Sequence, residues 1–354
     1  MKNELCIFDK KNHTFVIAEA GSNWKIGTYQ EDLKMAKKLI VAAAEAGADA
    51  VKFQTFRANT VYAHNAGKVT LHDKKTVVDI NELFENLSMK YEMIEKLAKL
   101  CKENNIMFMS TPFSIEDAKK IEPYVKIHKI ASFEINHIKL LEYLASTKKP
   151  ILISTGASNY EEIDFMIDFM EKNNSGKIGL LQCTSNYPCD IEKLNLSTIP
   201  TLKNRYNLPI GFSDHSIDPI VGPITAVGFG ARVIEKHFTM DKTLSGPDHF
   251  FAVNPDELKM MISMIRNSDK SKGSNIKKIL EEEKELRKFA TRSIQAIKDI
   301  KKGDILEESK NFSILRPGKQ KRGAEARALN EIEGKLAIHE IKMGEGILLE
   351  DCSD

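Results

Sequence analysis

A closed (β/α)₈ barrel of the TIM type, followed by a small second domain, is the fold the sequence predicts, and three observations predict it. Eight short apolar runs alternate with helical segments from the start of the chain to residue 268. Polar residues gather where each run ends rather than where it begins, the pattern of strands that all open on one face. After Arg266 the composition shifts to Ser268-Asp-Lys-Ser-Lys-Gly-Ser-Asn, and the alternation stops. A doubly wound open sheet would alternate in the same way, but a count of eight favours closure.

The first strand is expected over 15–18. Its helix follows over 29–46, with Leu33, Ala36, Lys37, Ile40 and Ala44 on or beside one face. Residues 48–54 read as the second strand, 57–86 as a long irregular loop and 89–104 as a helix. The third strand, 106–110, is stopped by Thr111-Pro112, and Ser114 is placed to cap the next helix with Asp117 three residues on. Strands four to eight are expected over 125–131, 150–154, 177–183, 209–212 and 231–234. The barrel would then occupy 1–268. A linker over 269–290, with a charged helix at 276–288, leads to a domain of short apolar runs and turns over 291–354.

Composition limits the function classes. Of 354 residues, 42% are hydrophobic, ample for a large core, while charged residues nearly cancel to a formal net charge of +2. No strong field for nucleic acid or membrane results. The N-terminus MKNELCIFDK lacks the apolar core of a signal peptide, and no run approaches the roughly 18 apolar residues of a membrane span, so a cytoplasmic protein is expected. Cys6, Cys101, Cys183, Cys189 and Cys352 lack CxxC spacing and read as reduced thiols.

The chemistry sits at the strand ends. Ser213-Asp214-His215 and Glu235-Lys236-His237 end the last two runs, so two histidines at neighbouring strand ends are placed to share one divalent metal. Each could instead be a half-buried cap of its strand. Lys52 and Lys129 point to an anion, with hydroxyls from Ser110, Thr111, Ser132, Ser154, Ser185 and Ser213 of the kind that surround a phosphate. Glu19 and Glu134 are candidates for acid/base work if burial raises their pKa, or else partners for a lysine.

These residues fall within motifs that resemble the sialic acid synthase family. They are Ala18-Glu-Ala-Gly21, Ala46-Gly-Ala-Asp-Ala-Val-Lys-Phe-Gln-Thr-Phe56, Ser110-Thr-Pro-Phe113, Lys129-Ile-Ala-Ser132, Ser154-Thr-Gly156, Gly211-Phe-Ser-Asp-His215, Glu235-Lys-His-Phe-Thr239 and Gly246-Pro-Asp-His249. The resemblance spans nearly the whole chain and identifies the C-terminal part as an antifreeze-like (SAF, β-clip) domain. It implies condensation of phosphoenolpyruvate with an N-acetylated aldose, N-acetylmannosamine in the first place, to give N-acetylneuraminate and phosphate. Legionaminate and, behind it, pseudaminate synthesis from 2,4-diacetamido-6-deoxy hexoses are the alternatives. By the same resemblance His215 and His237 hold a metal, Mn²⁺ before Mg²⁺ or Co²⁺, and Glu134 activates water. Glu19 and Gln54 orient the sugar or the metal's water shell, and Tyr187 and Asp248 lie near the sugar. A domain-swapped homodimer is implied, in which Arg316 reaches the sugar end of the neighbouring site and Phe289 packs over it.

Two departures stand out. Gln182 replaces a His found in many members, which puts the sixth strand's contacts in question, and Asn23-Trp-Lys-Ile-Gly27 lacks the usual Asn-His pair. Trp24 is either a surface anchor for the next helix or part of a changed sugar wall. Two other classes remain: a Schiff-base aldolase using Lys52 or Lys129, and a non-catalytic sugar- or ice-binding protein.

Overall fold

The computed structural model describes residues 12–70 and 76–354, so the N-terminal MKNELCIFDK, with Cys6, lies outside the described residues. The chain divides into two compact units, 1–273 and 274–354. In the first, eight parallel strands follow one another round a nearly closed barrel. They are β1 (Phe15–Gly21), β2 (Ala50–Thr55), β3 (Met107–Pro112), β4 (His128–Ile130), β5 (Ile151–Ser154), β6 (Ile178–Cys183), β7 (Ile210–Asp214) and β8 (Val233–His237). The hydrogen-bonded order runs β3-β2-β1-β8-β7-β6-β5-β4, with β3 and β4 in contact where the ladder ends.

Side-chain alternation divides the barrel into layers. Phe15, Ile17, Ala50, Met109, Ile127, Leu152, Leu181 and Val233 point inward and form an apolar plug. The residues between them, such as Val16, Ala18, Val51 and Ile234, face the helices and join the larger outer core. Gly211 leaves β7 without a plug side chain, because a Cβ there would lie 2.5 Å from Leu181 and 2.6 Å from the Val233 carbonyl. One inward step above the plug the strands carry Glu19, Lys52, Thr111, Lys129, Ser154, Cys183, Ser213 and Glu235. An apolar core therefore gives way to a polar layer in a single repeat.

Several elements differ from the sequence expectation. β1, β7 and β8 run past their apolar stretches to Gly21, Asp214 and His237, because neighbouring strands supply partners for the polar side chains. β4 pairs only over His128–Ile130, although Val125 and Ile127 are buried. Helix Tyr29–Glu45 buries Asp32, Met35, Ala36, Leu39, Ile40 and Ala43 and leaves Lys37 exposed. Asp32 is inside because it accepts from the N–H groups of Ile26 and Gly27 and pairs with Lys25 at 2.8 Å. The loop expected over 57–86 contains helices Ala58–Val61 and Ile80–Leu87 and a hairpin of Lys68–Thr70 with Val77–Asp79. Ser114 does cap its helix, accepting from Asp117 N at 3.1 Å. Trp24 is 3% exposed and packs in the outer core, so it is a buried anchor.

The charged helix expected over 276–288 shortens to Lys284–Ala290 after the turn Glu281–Glu283. Residues 274–289 are exposed, so a longer helix would have no apolar face to bury. The second unit pairs β9 (Ser293–Ala296) with β10 (Phe312–Leu315) and β11 (Leu336–Ala337) with β12 (Cys352–Ser353), all antiparallel. Its own core includes Ile294, Leu306, Phe312, Ile332, Ile341 and Ile347. No helix among the described residues is long and apolar enough to cross a membrane.

The barrel's amino end is tied by charge. Buried Asp269, on the first unit's last helix Pro255–Ser271, accepts from Thr14 N and Thr14 Oγ1, both at 2.7 Å, just ahead of β1. Arg266 on the same helix bonds the Thr14 carbonyl and Asp49. Asp269→Ala leaves the buried Thr14 donors without acceptors and is expected to cost about 2–3 kcal/mol in urea unfolding. A change below about 0.5 kcal/mol, the size of an ordinary surface substitution, would contradict that role.

Candidate active site

The polar layer is a charge network. Lys52 Nζ lies 2.7 Å from Glu19 Oε2 and 3.8 Å from Glu235 Oε2, and it donates to Thr111 Oγ1 at 3.0 Å. Lys129 Nζ lies 3.6 Å from Glu235 Oε1 and donates to Ser154 Oγ at 2.8 Å. Ser213 Oγ donates to Glu235 at 3.0 Å, and Gln54 Nε2 to Glu19 at 2.8 Å. The four charged residues are at most 5% exposed. Burial opposes every one of these charges, and the outcome depends on what each group faces. For Glu235, Lys129 and Lys52 outweigh burial and hold its carboxyl well below the usual range. For Glu19 burial prevails and the pKa rises. Lys52 is raised, because Glu19 and Glu235 overcome its burial, whereas burial lowers Lys129.

Above this layer stand the two histidines. β1 and β8 place Glu19 opposite His237. His215 follows β7, and the two imidazole rings lie 5.5 Å apart. His215 Nδ1 is 2.9 Å from the Thr184 carbonyl and can only donate to it, which leaves Nε2 with a free lone pair. Burial lowers the His215 pKa to about 3, with His237 adding to the effect, so it is neutral. His237 Nδ1 is buried without a hydrogen-bond partner, 3.4 Å from Asp248 Oδ2. Burial would lower the His237 pKa, but Asp248 reverses the sign and raises it. A neutral imidazole with a free Nε2 lone pair on one strand end, and a second imidazole on the next with its ring 5.5 Å away, fit a divalent ion completed by substrate and water. Among the described residues no three-residue His/Cys/Asp/Glu cluster adds a further side-chain ligand.

The remaining candidates are distributed around this centre. Glu19, Lys52, Gln54, Thr111, Lys129, Ser132, Ser154, Tyr187, Ser213, His215 and His237 line one cavity. Tyr187 lies against His215 with ring centroids 4.1 Å apart. Ser132 Oγ accepts from Gly156 N at 3.0 Å, and a Cβ on Gly156 would collide with the hydroxyls of Ser132 and Ser185. Ser185 itself belongs to an adjoining hollow beyond β5 and β6, its buried Oγ unpartnered. Glu134 closes the short turn Ser132–Glu134, with Oε2 buried and unpartnered. Burial raises its pKa to about 7, against the opposing charge of Lys129. Arg316 is an exposed residue of the second unit, directly after β10.

Glu235 and Cys183 also line the cavity, and neither is among the site residues expected from the sequence. Period-two spacing holds the signal: Glu235 stands two before His237, so both face the same side of β8. Gln182 falls between inward-facing Leu181 and Cys183 and donates to the Leu194 carbonyl, so its departure from the family pattern is turned away from the barrel interior.

Fold and mouth together define a barrel enzyme. Residues 39–277 match the NeuB family and residues 291–351 the SAF domain. An N,N'-diacetyllegionaminic acid synthase of Campylobacter jejuni is 39% identical over 94% of this chain and 98% of its own. The spore coat polysaccharide biosynthesis protein SpsE of Bacillus subtilis is 38% identical over 95% and 93%. The N-acetylneuraminic acid synthetase of Leptospira borgpetersenii, solved with citrate, superposes with a TM-score of 0.69 at 33% identity, over 77% of this chain and 90% of that one. The chain belongs to the NeuB family and is an enzyme of the sialic acid synthase type.

The raised pKa of Glu134 has a stability consequence with a definite sign. Its protonated form is favoured in the folded state, so that contribution is complete below the unfolded value of 4.5 and is lost as pH rises towards about 7. Glu134→Gln, which cannot ionise, is therefore expected to gain on the wild type over that window. The gain should be on the order of 2 kcal/mol and level off above it, read by urea unfolding against pH. Parallel profiles would contradict the assignment.

Proposed function

We propose that the protein condenses phosphoenolpyruvate with an N-acetylated aldose, giving a nine-carbon 2-keto acid and inorganic phosphate. The observation that carries this reading is the pair of buried ammonium groups, Lys52 and Lys129, ringed by hydroxyls on a barrel floor. A guest with both a phosphate and a carboxylate suits two such cations. Those groups would meet Lys52, Lys129, Thr111, Ser132, Ser154, Ser185 and Ser213. The acceptor sugar would lie above, against Gln54, Tyr187 and Asp248, with Arg316 supplied by a second copy in a domain-swapped homodimer.

A divalent ion on His215 and His237, Mn²⁺ before Mg²⁺ or Co²⁺, supplies Lewis-acid polarisation of the acceptor's aldehyde oxygen when bound. C3 of phosphoenolpyruvate forms the new bond to the aldehyde carbon as the C=O electron pair passes to its oxygen; water captures the cationic C2 that remains, and the proton this water gives up ends on that oxygen as the new hydroxyl. Glu134, whose Oε2 has no partner and whose pKa is about 7, takes the proton from that water. Glu19 is already engaged by Lys52 and Gln54 and acts by orienting them. The tetrahedral C2 then expels phosphate with cleavage of its C–O bond, and Lys52 and Lys129 offset the charge of the departing group.

Two acceptors fit this scheme. N-acetylmannosamine follows from the motif resemblance, and a 2,4-diacetamido-6-deoxy hexose is favoured by the 39% identity to a legionaminic acid synthase. Phosphate release from phosphoenolpyruvate with Mn²⁺ and each sugar in turn decides between them. Release with neither sugar would overturn the proposal. Inactivation by borohydride in the presence of substrate would move the chemistry to a lysine Schiff base. Lys129→Met is expected to raise KM for phosphoenolpyruvate about 10- to 100-fold, and an unchanged KM would place the phosphate elsewhere.

A further inference from the structure

Behind the two histidines the protein fills a cation site with one of its own side chains. Lys236 precedes His237 on β8 and points the opposite way, into the layer between barrel and helices, where it is 1% exposed. Its register partner on β7 is Asp214, which precedes His215. Lys236 Nζ lies 2.7 Å from Asp214 Oδ2, 2.5 Å from the Ser216 carbonyl, 3.2 Å from Ser216 Oγ and 3.0 Å from the Asp218 carbonyl. Four oxygens thus surround a group with three N–H donors.

The cage extends into the loop. Asp214 Oδ1 accepts from Ser216 N at 2.8 Å, and Asp218 Oδ1 accepts from the N–H groups of Ile220 and Val221, both at 2.7 Å, at the start of helix Val221–Gly228. A Cβ on Gly222 would stand 3.0 Å from Asp214 Oδ2, so the helix passes close against the pair. One ammonium therefore joins β8, the end of β7 and the loop 214–218, and His215 lies within that loop. A well-packed apolar pair would hold the two strands together as well or better. It would not hold the loop's carbonyl and hydroxyl oxygens.

We infer that Lys236 is a positioning residue for the two-histidine centre: it fixes the loop that carries His215 relative to His237, so that both imidazoles address one cation. This rests on the metal-binding part of the function proposed above. The test is Mn²⁺ affinity of the full chain without substrates, read from the electron paramagnetic resonance of free Mn²⁺. Phosphoenolpyruvate affinity in metal-free buffer is measured alongside it.

Lys236→Met is expected to weaken Mn²⁺ binding about 10- to 100-fold, the usual cost of losing an outer-shell partner. Phosphoenolpyruvate affinity should stay unchanged, since Lys52 and Lys129 lie on the other side of the strands. If that variant fails to fold, Asp214→Asn, which removes the cage's negative charge, carries the same expectation. Wild-type Mn²⁺ affinity in a folded variant, whatever its melting temperature, overturns the inference alone. Absence of Mn²⁺ binding by the wild type overturns the metal reading and the inference together.

Discussion

The site depends on one buried carboxylate, Glu235, standing between two buried ammonium groups. Lys52 and Lys129 could not both remain charged in a barrel interior without it, since an unpaired buried charge costs several kcal/mol. Glu19 supplies the second negative charge, and Thr111 and Ser154 take the remaining donors. Below the network the apolar plug excludes water and strengthens every charge interaction above it. Above it the cavity opens to a guest. The same strand serves both halves of the site, because Glu235 and His237 are two residues apart on β8, about 7 Å along the strand. Lysine pair and imidazole pair are therefore held at a fixed spacing by the sheet.

The carboxylates show how burial and neighbours assign different roles to like groups. Glu235 faces two lysines and stays ionised; Glu134 is half-buried, its enclosed Oε2 finds no partner, and its pKa climbs to about 7. A group that titrates near neutrality can accept a proton and return it, while one held ionised serves as a fixed charge. Burial raises the pKa of Glu19 against the opposing charge of Lys52, to which it is bonded together with Gln54. The histidines divide in the same way. His215 is kept neutral by burial, and His237 is drawn towards the charged form by Asp248.

Much of this is legible in the sequence. Eight apolar runs point to the barrel, and the residues after them to most of the mouth, because a buried parallel strand is apolar on both faces until it reaches the rim. Strand ends are less legible. Glu19, Asp214 and His237 read as loop residues, yet each continues its strand with partners supplied from neighbouring strands. Glu235 escapes notice because a charge flanked by Ile234 and Lys236 reads as rim, whereas period-two counting from Val233 places it inside. Helical spacing alone puts Lys37 beside a buried face. The buried position goes instead to Asp32, whose capping of Ile26 and Gly27 is a tertiary fact that no periodicity carries.

The central claim is that this mouth holds phosphoenolpyruvate and breaks its C–O bond after water adds to C2. Turnover in ¹⁸O-labelled water, with the released phosphate analysed by mass spectrometry, tests it most directly. Unlabelled phosphate is the predicted result, since the bridging oxygen leaves with phosphorus. Phosphate carrying one solvent oxygen would mean attack at phosphorus, and neither Glu134 as the base for water nor the two lysines as the seat of the departing phosphate would stand.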